Sequence, residues 1–372
     1  NFQNIIQASM LGSLSDSIPK QKFILSESFI WFDQYGMSPK AFLSRVSNEH
    51  VYYTLKNPKL SNEIKEKLTD LLKKNKDVSS SIEVKDDDSL KSLLVKSIDF
   101  LKKNHVSEAK LKAEIIFSSV LGIERMMLFT KYKDEIDEEK KNKIREYIHK
   151  IGKEKFPIQY LLNEQEFYGR SFYVDKGVLI PRLDTEVLVE KALNILNKES
   201  IEEPKVLDIG VGSGVIGITI ALEVPTSKVM GVDISEKALE ISSKNKKILK
   251  AGNIKFIKSD LFENIEYKKF NMIVSNPPYI SSDETDVMSE DALLHEPSEA
   301  LFAGSEGLYF YNSISKKAME YLDDNGYLLF EIGYKQGEIV AKMMETYGFK
   351  NVEIIKDLAG NDRVVVGQKL NN

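Results

Sequence analysis

Lys205-Val206-Leu207-Asp208-Ile209-Gly210-Val211-Gly212-Ser213-Gly214 is an apolar strand running straight into a glycine-rich turn. Val215 to Leu222 continues as an apolar helix, and Lys228 to Asp233 reads as a second strand ending in a carboxylate. Glycines let the backbone lie close to a bulky ligand, and a helix start offers free N–H groups. Asp233 is placed to accept from two ribose hydroxyls. A third strand, Lys255 to Lys258, leads into Ser259-Asp260-Leu261-Phe262. There Asp260 can take an adenine amino group, and Leu261 or Phe262 can cover the base; the plainer alternative is a helix N-cap at Asp260.

Gly212 to Gly217 also fits the dinucleotide pattern G-x-G-x-x-G, with Asp233 at a suitable distance. Two details favour S-adenosylmethionine, which would leave as S-adenosylhomocysteine. Asp208 would repel a pyrophosphate and suits a cationic amino-acid end. The turn also begins at Gly210, earlier than the nicotinamide pattern requires. The expected cofactor set is Asp208, Gly210, Val211, Gly212, Ser213, Gly214, Asp233, Asp260 and Leu261, together with Asn276.

Asn276-Pro277-Pro278-Tyr279 follows a fourth strand, Phe270 to Ser275, and so lies where open α/β sheets place their ligands. Both prolines have fixed φ and no N–H, which stiffens the turn and leaves the Pro277 carbonyl without an obligatory partner. The Asn276 carboxamide offers a second neutral acceptor. Two rigid acceptors suit the two N–H bonds of a planar –NH₂ group, with the Tyr279 ring packed on its face. The expected substrate set is Asn276, Pro277, Pro278 and Tyr279, and Asn276, Pro277 and Tyr279 carry the chemistry. A strand-ending turn is the plainer reading of the tetrapeptide alone.

The chain has 372 residues, room for two or three domains, and a formal net charge of −5. Arginine is scarce (Arg45, Arg125, Arg145, Arg170, Arg182, Arg363), so a phosphate-binding surface and direct nucleic-acid contact are not expected. Without cysteine there are no disulfides or thiolate sites. His50, His105, His149 and His295 show no metal-ligand spacing, so no metal is expected. No apolar run is of membrane-spanning length and no signal pattern opens the sequence; a cytoplasmic protein without membrane contact is expected.

Residues 1–85 form an N-terminal extension of unreadable role, aromatic-rich over Phe23 to Tyr35 and ending in the polar stretch Lys76 to Asp88. A helical domain over 86–157 has three helices: one through Leu90, Leu94 and Leu101, one through Ala109 to Leu121 stopped by Gly122, and one from Asp137 to Ile151. Residues 158–186 connect it to the rest. They carry a hairpin turning at Gly169-Arg170 and then Ile180-Pro181-Arg182-Leu183-Asp184-Thr185-Glu186, where Asp184 or Thr185 caps a helix reaching Asn197. Residues 187–372 alternate strands and helices, with later strands at Tyr327–Ile332, Val352–Lys356 and Val364–Gln368. This is a doubly wound α/β sheet ending in an antiparallel hairpin.

Over residues 89–370 the chain resembles the bacterial protein-(glutamine-N5) methyltransferases of class I peptide chain release factors. The resemblance rests on Gln165-Glu166-Phe167, the Ile180 to Glu186 segment, Asp208 through Gly214, Asp233 and Asn276 through Tyr279. It extends to Glu296-Pro297, Ala303-Gly304, Gly307-Leu308, Glu331 and Gln336-Gly337-Glu338. It implies a seven-stranded Rossmann-like methyltransferase domain and a helical domain that helps dock the release factor. The methyl acceptor it implies is the glutamine of a Gly-Gly-Gln loop, and a monomer is expected. Leu183, Asn163 and Phe156 depart from the family pattern, where proline, glycine and glycine are usual. An adenine-N6 DNA or RNA methyltransferase uses the same tetrapeptide, but would need to extract a base and hold phosphates. A ribosomal-protein glutamine is a close variant of the release-factor reading.

Overall fold

The computed structural model describes residues 89–266, 269–281, 289–304 and 307–370. The extension over 1–85 and its polar linker lie outside the described residues. Three helices come first: α1 (Leu90–Lys103), α2 (Ala109–Leu121) and α3 (Glu138–Lys153). Their apolar faces meet around Leu94, Leu101, Ile116, Phe117, Ile144 and Ile148. Ser89 and Asp137 cap α1 and α3 by accepting from the Ser92 and Lys140 amides. Gly122, at φ 68°, ends α2 as its sequence position predicts. The 3-10 stretch Arg125–Lys131 was not foreseen; it buries only Leu128 and so leaves no periodic signal.

A short helix, α4 (Ile158–Leu162), leads to the hairpin β1 (Gln165–Phe167) and β2 (Arg170–Phe172). The turn falls one residue earlier than expected. Tyr168 and Gly169 both take positive φ (50° and 68°), which lets a two-residue turn follow the strand twist, and Arg170 already belongs to β2. Asn163 ends α4 at φ 55°, a left-handed position that asparagine tolerates, so the departure from glycine keeps the local geometry. Phe156 packs edge-on against His295, ring centroids 5.0 Å apart.

The remaining elements are α5 (Thr185–Glu199), β3 (Lys205–Ile209), α6 (Val215–Glu223), β4 (Lys228–Asp233), α7 (Glu236–Leu249), β5 (Ile254–Lys258), β6 (Phe270–Ser275), α8 (Glu290–His295), α9 (Tyr309–Tyr321), β7 (Leu322–Glu331), α10 (Gly337–Thr346), β8 (Lys350–Lys356) and β9 (Asp362–Gln368). Seven strands make one sheet in the order β5-β4-β3-β6-β7-β9-β8. Only β9 runs antiparallel, inserted between β7 and β8. The strand β7 starts at Leu322 rather than the expected Tyr327, because Asp323-Asp324-Asn325, with Asn325 at φ 63°, reads as a turn.

Strand alternation sends Val206, Val229 and Met272 to a core shared with α5 and α6. Leu207, Met230 and Ile273 face the opposite core, under α9 and α10. The chain order reverses at β3, whose neighbours are β4 and β6. A crevice therefore opens at the carboxyl ends of β3 and β6, the place where such sheets bind ligands.

Gly231 lets β4 run beneath the glycine turn. A β-carbon there would come within 2.5 Å of Val211 Cγ2 and 2.7 Å of Phe256 Cδ1. Gly231→Ala is expected to destabilise the fold by about 1–3 kcal/mol through overpacking. Denaturant unfolding that shows no loss would mean the turn and β5 yield freely.

Candidate active site

The crevice is a cavity lined from four directions. The turn after β3 supplies Gly210, Val211, Gly212 and Ser213, and the end of β4 supplies Asp233, Ile234 and Ser235. The end of β5 adds Ser259, Asp260 and Leu261; the end of β6 adds Ser275, Asn276, Pro277 and Pro278. Pro181, Thr185 and Pro297 close it from the connecting segments. Arg182 and Glu296 tie those segments together: Arg182 Nη2 donates to Glu296 Oε1 at 2.5 Å, and the Ile180 amide donates to Oε2 at 3.2 Å.

Gly210 and Gly212 sit at φ 75° and 54°, and a β-carbon on either would enter open space. They present bare backbone to the cavity, as close approach of a ligand requires. Asp233 is held rigid there: Oδ2 accepts from the Gly212 amide and Oδ1 from Ser235, each at 2.9 Å. Burial pushes its carboxyl above the usual range, and these two bonds pull it back. Leu261 holds a left-handed φ of 47°, which aims it into the cavity lining. Phe262 goes instead into the core against Tyr321, so of the two base-covering candidates only Leu261 reaches the cavity. No helix starts at Asp260; its carbonyl closes a turn by accepting from Glu263.

Asp208 does not line the cavity. It shares the Val206 face of β3, fully buried beneath α6, and Oδ2 accepts from the Gly217 amide at 2.9 Å. That amide is one of the unpaired donors of a helix start, so the carboxylate supports the glycine turn from behind. A β-carbon at Gly217 would meet Oδ2 at 2.9 Å, which explains the glycine. Asp208 Oδ1 has no partner, and burial pushes the carboxyl up to about 7. Its expected role against a cationic ligand end is thus replaced by one through the turn. Gly214, the N-cap of α6, also stands outside the lining.

Asn276 is in place at the end of β6. Its Nδ2 donates to Thr185 Oγ1 at 3.2 Å, which leaves its carboxamide oxygen available as an acceptor. Tyr279 departs from expectation: its ring lies beside Gly333, outside the lining, while its carbonyl accepts from Gln336 Nε2 at 3.0 Å. Neither Asp184 nor Thr185 caps α5 with its side chain. Asp184 pairs with Arg363 at 3.0 Å, and Thr185 serves Asn276.

Sequence reasoning gave no role to Thr185 as an anchor, to Arg363 or to Glu331. Glu331 ends β7, 1% exposed, and burial pushes its carboxyl up to about 7. A lone carboxylate closing an otherwise apolar strand was the available signal, the same one that exposed Asp208.

The lining carries Asp233, Asp260 and Glu299 and, among the described residues, neither lysine nor arginine. A cavity of that sign suits a cation bearing hydroxyls and an amine, and offers a polyphosphate no counter-charge. Comparison with known proteins agrees. The Methyltransferase small domain model matches residues 183–309, and the PrmC N-terminal domain model matches residues 92–162. The fold is that of a Rossmann-like methyltransferase.

A release factor glutamine methyltransferase of Fusobacterium nucleatum is 46% identical over 275 residues, covering 74% of this chain and 77% of that one. Another from Clostridium botulinum is 39% identical over 285 residues, covering 75% and 99%. A third, from Leptospira interrogans, is 39% identical over 282 residues, covering 75% and 98%. The chain belongs to the release factor glutamine methyltransferase family.

Asp208 has a measurable signature. Its folded value lies above the ordinary 3.8, so ionisation opposes folding. The stability it contributes is full below 3.8 and is lost as pH rises toward about 7. Asp208→Asn should flatten the stability–pH slope across that window, whatever fixed cost the amide carries. An unchanged slope in denaturant titrations would show that Asp208 ionises freely in the fold.

Proposed function

We propose that this protein transfers a methyl group from S-adenosylmethionine to the side-chain amide nitrogen of the glutamine in the Gly-Gly-Gln loop of class I release factors. The observation that carries the reading is the Asn276 side chain in the cavity lining: with Nδ2 donating to Thr185, its Oδ1 is available as an acceptor. Asp233 would hold the ribose, Asp260 and Leu261 the adenine, and Gly210 and Gly212 the amino-acid portion. When bound, the cofactor supplies a methyl group on a sulfonium that is an excellent leaving group.

The chain's own residues do the positioning. An amide nitrogen is a weak nucleophile because its lone pair spreads into the carbonyl. Acceptors at Asn276 Oδ1 and the Pro277 carbonyl hold its two N–H bonds and turn its face to the methyl carbon. As positive charge grows on nitrogen, both acceptors bind it more tightly than in the ground state. The stiff Asn276-Pro277-Pro278 turn keeps them from relaxing. The three helices between Leu90 and Lys153 would serve as the docking surface for the release factor. In support, Met126 and Phe129 there are 73% and 63% exposed. The chain acts as a monomer in the cytoplasm and needs no nucleic acid.

The test is mass analysis after incubating the protein and S-adenosylmethionine with release factor, ribosomal proteins and DNA. One added methyl on the Gly-Gly-Gln glutamine is expected; methylation confined to ribosomal protein or adenine would overturn the assignment.

Asp233→Ala should weaken cofactor affinity by about 1.5–3 kcal/mol, the scale of charge-assisted hydrogen bonds. Calorimetry giving wild-type affinity would remove the ribose role. Asn276→Ala should bind cofactor nearly normally yet lose about a hundredfold or more in kcat, as when one preorganised transition-state hydrogen bond is removed. Near-normal single-turnover methylation by that variant would contradict the amide-orienting role.

A further inference from the structure

We infer that Glu331 is a positioning residue of the methyl-transfer site, setting the orientation of the Asn276 carboxamide through the Thr185 hydroxyl. The inference rests on the glutamine-amide reading above and explains how its central acceptor is kept facing the right way.

The strands β6 and β7 run parallel with Ser275 opposite Phe330, so Asn276 and Glu331 are the next residues along the same pair of strand ends. Thr185, 2% exposed at the start of α5, accepts from Asn276 Nδ2. A hydroxyl that accepts still has one proton to give. The Thr185 hydroxyl and the Asn276 amide both favour the charged form of the Glu331 carboxyl. An ionised carboxylate can only accept. With Oε2 buried and unpartnered, it is the acceptor available to the Thr185 proton, which would leave the Thr185 lone pairs to the Asn276 N–H and Oδ1 to the substrate. A protonated carboxyl can instead donate to Thr185, which then can donate to Asn276 and favour the flipped amide.

The surroundings set when that change occurs. Burial raises the Glu331 carboxyl to about 7, against the Thr185 hydroxyl and the Arg363 guanidinium, while Asp184 adds to the rise. Tyr279 and Tyr311 also face it; their own hydroxyls are pushed up, to about 12 for Tyr279, and stay neutral. Glu331 Oε2 is buried without a partner, although Tyr311 Oη donates to the Glu331 backbone carbonyl at 3.0 Å. A carboxylate left partly unpaired in the interior costs stability unless it does something else.

The test uses the full chain with S-adenosylmethionine and a purified release factor, in single turnover. Wild type should lose rate as pH falls through about 7, the value of the Glu331 carboxyl. Glu331→Gln should keep cofactor affinity and substrate KM, lose about tenfold or more in rate, as misorientation of a reacting group does, and lose that inflection. Thr185→Val should reproduce the rate loss and Thr185→Ser restore it, an independent check should Glu331→Gln fail to fold. Wild-type rates and an intact pH profile in Glu331→Gln, or in Thr185→Val, overturn this inference alone. A wild-type protein that binds cofactor but never methylates the release factor overturns the glutamine reading, and this inference with it.

Discussion

The hydrogen bond from Asn276 Nδ2 to Thr185 Oγ1 joins the end of β6 to the start of α5 across 91 residues of chain. In the proposed mechanism it decides which atom of a symmetric-looking carboxamide meets the substrate. The prolines stiffen the turn that carries Asn276, and the Arg182–Glu296 pair fixes the segment that carries Thr185. Arg363 from β9 holds Asp184 beside it, so even the antiparallel strand in the sheet contributes to the position of α5.

Two buried carboxylates stand behind the site rather than in it. Asp208 accepts from the start of α6 and supports the glycine turn; Glu331 stands behind Asn276 and Thr185. The desolvation of each is large and only partly offset by its bonds, which is the form in which folded chains carry groups needed for geometry rather than for stability. The cavity itself is lined by carboxylates without a described cation, matching a positively charged donor better than any phosphate.

Much of this was legible in the sequence because glycine and proline punctuate it. Gly210 to Gly214 marks the turn after β3, and Asn276-Pro277-Pro278 marks the end of β6, each at a strand end. The doubly wound sheet and its closing antiparallel hairpin followed from alternating strand and helix patterns, whereas the order of the strands within the sheet emerged only from the structure. What stayed hidden depends on distance through the fold. The direction in which Asp208 points is set by which face of β3 lies under α6, and a carboxylate at a strand end reads the same on either face. Thr185 looked like a helix cap because its role comes from Asn276, far along the chain. Tyr279 was expected over the substrate, but Gly333 and Gln336 draw its ring and carbonyl away. The hairpin turn moved by one residue because Tyr168 adopts a positive φ that its side chain does not advertise.

The central claim is that two neutral acceptors hold the two N–H bonds of an amide. A crystal structure of the protein with S-adenosylhomocysteine and a peptide containing Gly-Gly-Gln tests it most directly. The account predicts the glutamine nitrogen bonded to Asn276 Oδ1 and to the Pro277 carbonyl, with Asn276 Nδ2 still on Thr185. A glutamine held by its carbonyl oxygen, with Asn276 Nδ2 turned from Thr185 to donate to it, would contradict the account.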